Sequence, residues 1–153
     1  MRLQRFNGDE VFAIDSATVD YYTDEDGRLA TTFRADSASV PIQTLPDTEE
    51  LHAQPFAEFT LYLPKHPGAA LLTGRTYSLA RGYDDVSGEA LTNFYYCEHE
   101  TVDDIEITVV KRQLNRAQLR ISGTTIDVNH YDGSKAPTKV LIEAEFSLAF
   151  VDR

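Results

Sequence analysis

The chain has 153 residues, 42% hydrophobic and 25% charged, with 14 basic against 25 acidic side chains and a formal net charge of −11. A chain of this length makes one domain that hides roughly 70% of its unfolded surface, so its core closes without metals or disulfides. The composition excludes wholesale disorder, no apolar run approaches the ~20 residues that span a bilayer, and the negative charge repels a polyanionic backbone. Nucleic acid and a membrane span are therefore not expected.

The N-terminus, Met1-Arg2-Leu3-Gln4-Arg5-Phe6, turns polar at Asn7-Gly8-Asp9-Glu10 and carries no apolar signal-peptide segment. The expected location is cytoplasmic by default, or periplasmic or surface if a leader has been removed. A hairpin follows. Val19, Tyr21, Leu29, Thr31, Phe33 and Ala35 are all odd-numbered, so the two strands pair odd with odd. A three-residue loop, Glu25-Asp26-Gly27, meets that condition by pairing Asp24 with Arg28 and Tyr21 with Thr31. It places Gly27 at the left-handed position of such a loop. The run Asp24-Glu25-Asp26-Gly27 lacks the alternating ligands and distal glutamate of a calcium loop, so turn chemistry accounts for it and no metal is expected.

Thr48-Glu49-Glu50-Leu51-His52-Ala53 reads as one short turn of helix between prolines at 41, 46 and 55. Phe59, Leu61 and Leu63 alternate until Pro64 stops the strand. Tyr77 and Leu79 form another after Gly74, closed by Gly82. Leu91 to Glu98 is a strand with aromatics on both faces, Phe94 and Tyr96 opposing Tyr95 and Cys97. Cys97 is the only cysteine, so no internal disulfide exists, and it reads as a small buried hydrophobe.

A second hairpin pairs Ile105, Ile107 and Val109 with Leu119 and Ile121. A three-residue loop, Leu114-Asn115-Arg116, sets Val109 opposite Ile121. Beyond Gly123 the apolar parity switches to Ile126 and Val128, which places a β-bulge at Gly123-Thr124. Tyr131-Asp132-Gly133-Ser134 turns the chain. The last strand, 138–151, is apolar at Val140, Ile142, Ala144, Phe146, Leu148 and Phe150, with Glu143 and Glu145 on its solvent face. With the 117–130 segment it makes a long bent hairpin, the spine of the fold.

These elements specify one all-β domain, 1–153. It reads as an antiparallel β-sandwich or partly closed barrel of about eight or nine strands in a meander or Greek key. The arrangement is similar to that of small bacterial β-sandwich modules, a likeness of architecture that assigns no function.

His52, His66, His99 and His130 lack the spacing and cysteine partners of a zinc site. Glu98-His99-Glu100 reads as a polar cluster at a strand edge, and His130 with Asp132 as a pair across a turn. No nucleophile elbow or phosphate-cradling glycine loop is present, and no cofactor is expected. Lys111, Arg112, Arg116 and Arg120 gather at one hairpin tip, a solvated tip first and an anion or partner patch second.

Tyr83, Phe94, Tyr95, Tyr96 and Tyr131 supply more aromatics than one core face needs. The leading reading is a non-catalytic module with an unidentified protein partner, a basic one being favoured by the charge. Its candidate ligand-binding residues are Tyr83, Phe94, Tyr96 and Tyr131. The alternatives are a small hydrolase or metal-dependent enzyme in a β-barrel mouth, using His99, His130 and a carboxylate, and a structural subunit of an assembly.

Overall fold

The computed structural model describes residues 1–43 and 51–149. A hairpin of Arg2–Arg5 (β1) and Gly8–Val11 (β2) leads into Ile14–Thr23 (β3) and Leu29–Ser37 (β4). Val40–Gln43 (β5) and Leu51–Ala53 (β6) pair apart from the rest. Phe56–Leu63 (β7) precedes a single helical turn, Pro67–Ala70 (α1), which Pro67 starts and the His66 side chain caps. Thr76–Leu79 (β8) follows, then the small hairpin of Tyr83–Asp84 (β9) and Glu89–Ala90 (β10). Thr92–Tyr95 (β11), His99–Glu100 (β12), Asp103–Arg112 (β13), Arg116–Thr125 (β14) and Thr138–Leu148 (β15) complete the chain.

Nine strands form one continuous path, β12-β11-β7-β4-β3-β15-β14-β13-β8, strongly curled into a half-barrel. The partly closed barrel is thus the form the fold takes, with one sheet curled on itself in place of two stacked ones. The sheet is mixed, because β3 joins β15 in parallel at Ser147 and Leu148. The β1–β2 hairpin explains that pairing. β1 runs antiparallel to both β15 and β2, so the chain leaving β2 travels in the direction of β15 when it reaches it.

The inner face is the core. Val19, Phe33, Phe59, Leu61, Phe94, Ile105, Ile107, Leu119, Ile121, Ile142 and Phe146 are all buried there. Leu71, just after α1, is fully buried beside them. Burial on this scale, at roughly 25 cal/mol per Å² of apolar surface, holds the curl.

The first hairpin has the predicted register, Tyr21 opposite Thr31, with the Asp24 N–H bonded to the Arg28 carbonyl and Gly27 at φ 78°. The second does not. Its loop is the two residues Leu114 and Asn115, with the Gln113 N–H bonded to Arg116 O. Val109 faces Leu119, Ile107 faces Ile121, and an irregularity between Val109 and Lys111 absorbs the extra residue. Apolar parity fixes only odd against odd, and a shift of two residues leaves it unchanged.

The bulge assigned to Gly123-Thr124 is also placed differently. β14 pairs with β15 without interruption from Arg116 to Thr125, and the irregularity lies across from it, between Asp103 and Glu106, where Asp104 has φ 51°. Gly123 is needed for space: a Cβ there would lie 2.5 Å from both Ile105 Cδ1 and Val102 Cγ1. Inward parity continues past it through Thr125 to the buried carboxylate of Asp127; Val128 then enters the core as expected, while Ile126 is only half-buried.

Residues 51–53 are strand where a helical turn was read, and the rest of that turn lies outside the described residues. Cys97 is exposed, since β11 ends at Tyr95 and the chain reverses, Tyr96 N–H bonding to Glu98 O. The last strand ends at Leu148, and Phe150 lies outside the described residues.

Candidate functional site

Phe94 and Tyr96, on alternate positions of the chain through β11, point into the core and are 1% and 4% exposed. The Tyr96 hydroxyl donates to Glu10 at 2.9 Å, and its ring meets Phe12 edge-on. Burial, then the bond to Glu10, push this hydroxyl well above its ordinary pKa, so it remains a donor. Tyr131 is half-buried, with its hydroxyl enclosed against the Cys97–Glu98 backbone. Tyr83 is exposed on β9, where its hydroxyl donates to Gly88 O and clamps the small hairpin. Two of the four residues singled out in the sequence are therefore core, and the open surface of β11 is its other face.

That outer face carries Asn93 and Tyr95, with His99 returning beside them on β12. The Tyr95 ring stacks on Phe56 of β7, centroids 5.6 Å apart and planes at 20°. His99 closes the cluster, 4.9 Å from Tyr95 and 6.0 Å from Phe56, and its Nδ1 donates to Asn93 Oδ1 at 2.9 Å. On the far side of Phe56 lies the Arg34 guanidinium, 4.6 Å from the ring centroid. Arg34 donates to both oxygens of Asp36, at 2.8 and 3.0 Å, and to Glu58 at 3.3 Å. The bond from Arg34 holds the Asp36 carboxyl below its ordinary value. Further along the face Thr32 and Thr60 bond to each other, and Arg28 lies 4.1 Å over Tyr62.

The sequence held the clue to this face. Phe59, Leu61 and Leu63 fix the odd positions of β7 as inner, so Phe56 and Tyr62 lie outside. The extended pairing of Tyr95 with Phe56 needs the register, which the sequence does not supply.

The second cluster is buried. Arg5 makes a two-pronged bond to Asp127, Nε to Oδ2 and Nη2 to Oδ1 at 3.0 Å each, and reaches Glu10 at 2.8 Å. Asp127 also accepts from His130 Nδ1 at 2.7 Å, Thr138 Oγ1 at 3.0 Å and the Asn129 N–H at 3.2 Å. Burial alone would raise this carboxyl, but the bonds from Arg5, His130, Asn129 and Thr138 outweigh it and hold it well below the carboxylate range. His130 thus pairs with Asp127 where Asp132 was expected. Asp132 instead accepts from the Ser134 N–H. With its oxygens filled, Asp127 ties the N-terminal hairpin to the β14–β15 connection.

Among the described residues His99 and His130 share no hydrogen-bond or ring partner. No group of three His, Cys, Asp or Glu side chains is arranged to hold a metal ion among the described residues. Cys97 is kept as a thiol: partial desolvation, then Glu98 and Glu10, raise it. At the basic hairpin tip Arg116 is paired with Glu145 and Arg120 with Glu143, each at 2.6 Å, so two of its four cations are neutralised across the sheet. A cavity of about 480 Å³ beside the N-terminal hairpin is lined by Met1, Arg2, Val11, Arg120, Leu141 and Glu143.

No family model, curated protein or solved structure matches this chain. No helix among the described residues is long and apolar enough to cross a membrane.

Proposed function

We propose that this chain is a non-catalytic protein-binding module that takes a basic segment of its partner on the outer face of β4, β7 and β11. The observation that carries this reading is the Phe56–Tyr95 stack, held half-exposed on a polar sheet face beside Asp36 and Glu58. Aromatic faces attract cations, and a carboxylate nearby completes the site for an arginine or lysine. Arg34 over Phe56 and Arg28 over Tyr62 are intramolecular instances of that contact on the same face. A net charge of −11 adds long-range attraction for a basic partner.

The test is selection from a displayed library of random peptides on the immobilised chain. Arg- and Lys-containing peptides are enriched, binding falls at least about tenfold in the Phe56→Ala/Tyr95→Ala variant, and it weakens as ionic strength rises. No enrichment of basic peptides, or equal binding by the double variant with its fold intact, sinks the reading.

A further inference from the structure

We propose that two copies of this chain associate through β8, whose free edge pairs antiparallel with β8 of a second copy about a two-fold axis. This contact lies on a different edge from the Phe56–Tyr95 face and does not depend on it.

Among the described residues β8 is the last strand of the sheet path and pairs with β13 alone. The Val109 N–H donates to Arg75 O, and antiparallel bonding alternates, so Tyr77 and Leu79 bond to β13. Thr76 and Ser78 consequently turn their N–H and C=O groups to the free edge. Nothing in β8 blunts that edge: Thr76–Leu79 has no proline, no lysine and no irregularity in its register. Tyr77 and Leu79 are half-buried, and with Leu61, Leu63 and Leu91 they line a cavity of about 240 Å³ beside the edge. A strand laid along β8 covers that apolar surface.

The charges at the two ends of β8 specify which strand. Before its start lies Arg75, exposed and without an ion pair among the described residues. The neighbouring strap is fixed to the basic end of β13 by the bond from the Arg112 N–H to Thr73 Oγ1. Past its end the Asp104 N–H bonds to Ala80 O, which sets the exposed Asp103 and Asp104 there, with Asp84, Asp85 and Glu89 on the adjoining hairpin. Arg81, the one cation at that end among the described residues, is held by Asp85 at 3.1 Å. β8 therefore runs from a basic end to an acidic end. Only an antiparallel copy sets each basic end against an acidic one, and a two-fold axis does so twice. The register that bonds Thr76 to Ser78 of the second copy uses every outward backbone group and sets Arg75 opposite Leu79 of that copy, at its acidic end.

Sedimentation equilibrium over about a hundredfold range of concentration, up to about 0.5 mM, tests this. The mass rises from one chain of 17.2 kDa towards two. Ser78→Pro removes an outward N–H that β13 does not use, so it leaves the fold intact and abolishes the association. Arg75→Glu weakens it about tenfold, a loss of ~1.4 kcal/mol. In the wild type, amide exchange at Thr76 and Ser78 slows as concentration rises. A single-chain mass at every concentration overturns the proposal. So does a dimer that Ser78→Pro or Arg75→Glu leaves unweakened, or one in which those two amides stay unprotected.

Discussion

The β14–β15 hairpin carries ion pairs of two kinds, and their lengths rank them the wrong way round. Arg116–Glu145 and Arg120–Glu143 are 2.6 Å long and lie open on its outer face, the side chains of the second pair 61% and 62% exposed. Beyond the Thr138 end, Arg5–Asp127 is longer at 3.0 Å, but its side chains are 5% and 0% exposed. In water the bare attraction at 2.6 Å is worth about 1.6 kcal/mol, and salt and side-chain entropy reduce it to about 1 kcal/mol or less. Inside the protein each charge has given up its hydration, so the loss of one partner leaves the other stranded. Environment, not length, decides which pair matters.

Asp127→Ala breaks that contrast at its strongest point. Arg5 is left buried without its main partner, and Thr138 and the Asn129 N–H lose their acceptor. The expected loss is about 3–5 kcal/mol, read as a lower urea midpoint with an unchanged slope. A loss below about 1 kcal/mol would show that water reaches the cluster and that its apparent burial means little.

Acid provides a second probe. The folded Asp127 carboxyl titrates below its unfolded value, so its contribution is complete above about pH 4 and is lost as pH falls towards the folded value. Wild-type stability should therefore fall more steeply below pH 4 than that of Asp127→Asn, which has no carboxyl there to protonate. Urea melts from pH 7 down to pH 2.5 measure the difference between the two. Parallel curves would remove Asp127 as the source of acid sensitivity.

The same contrast explains what could be read in the sequence. Alternation finds strands buried on one face, so the last strand and the first hairpin were legible, the latter to its register because Gly27 closes its loop. Alternation assumes that inward means apolar, and Asp127 breaks that rule because Arg5, far away in sequence, supplies its partner. Val128 is inward as read, but taking Ile126 as inward with it required a bulge at Gly123 that the strand does not contain. The outer face of β11 suffered the complementary error. Phe94 and Tyr96 drew attention as the aromatic pair, yet aromatic character does not distinguish a core face from a surface one. The neighbouring strand does: with Phe59 inward and paired to Thr92, Phe94 must also be inward and Tyr95 outward.

The smallest expected effect lies in the exposed pairs, where a null result would be informative. Arg120→Ala, Glu143→Ala and the double variant form a cycle that isolates the interaction between the two side chains. The coupling should be below about 1 kcal/mol at low salt and vanish near 1 M, because open charges are screened over a few ångströms there. The same salt should leave the deficit of Asp127→Ala nearly unchanged, since a buried pair excludes the ions that would screen it. A coupling above about 2 kcal/mol that persists in salt would mean that Arg120 and Glu143 are shielded. The cavity beside Met1 that both side chains line would then have to be closed in solution by something laid over it.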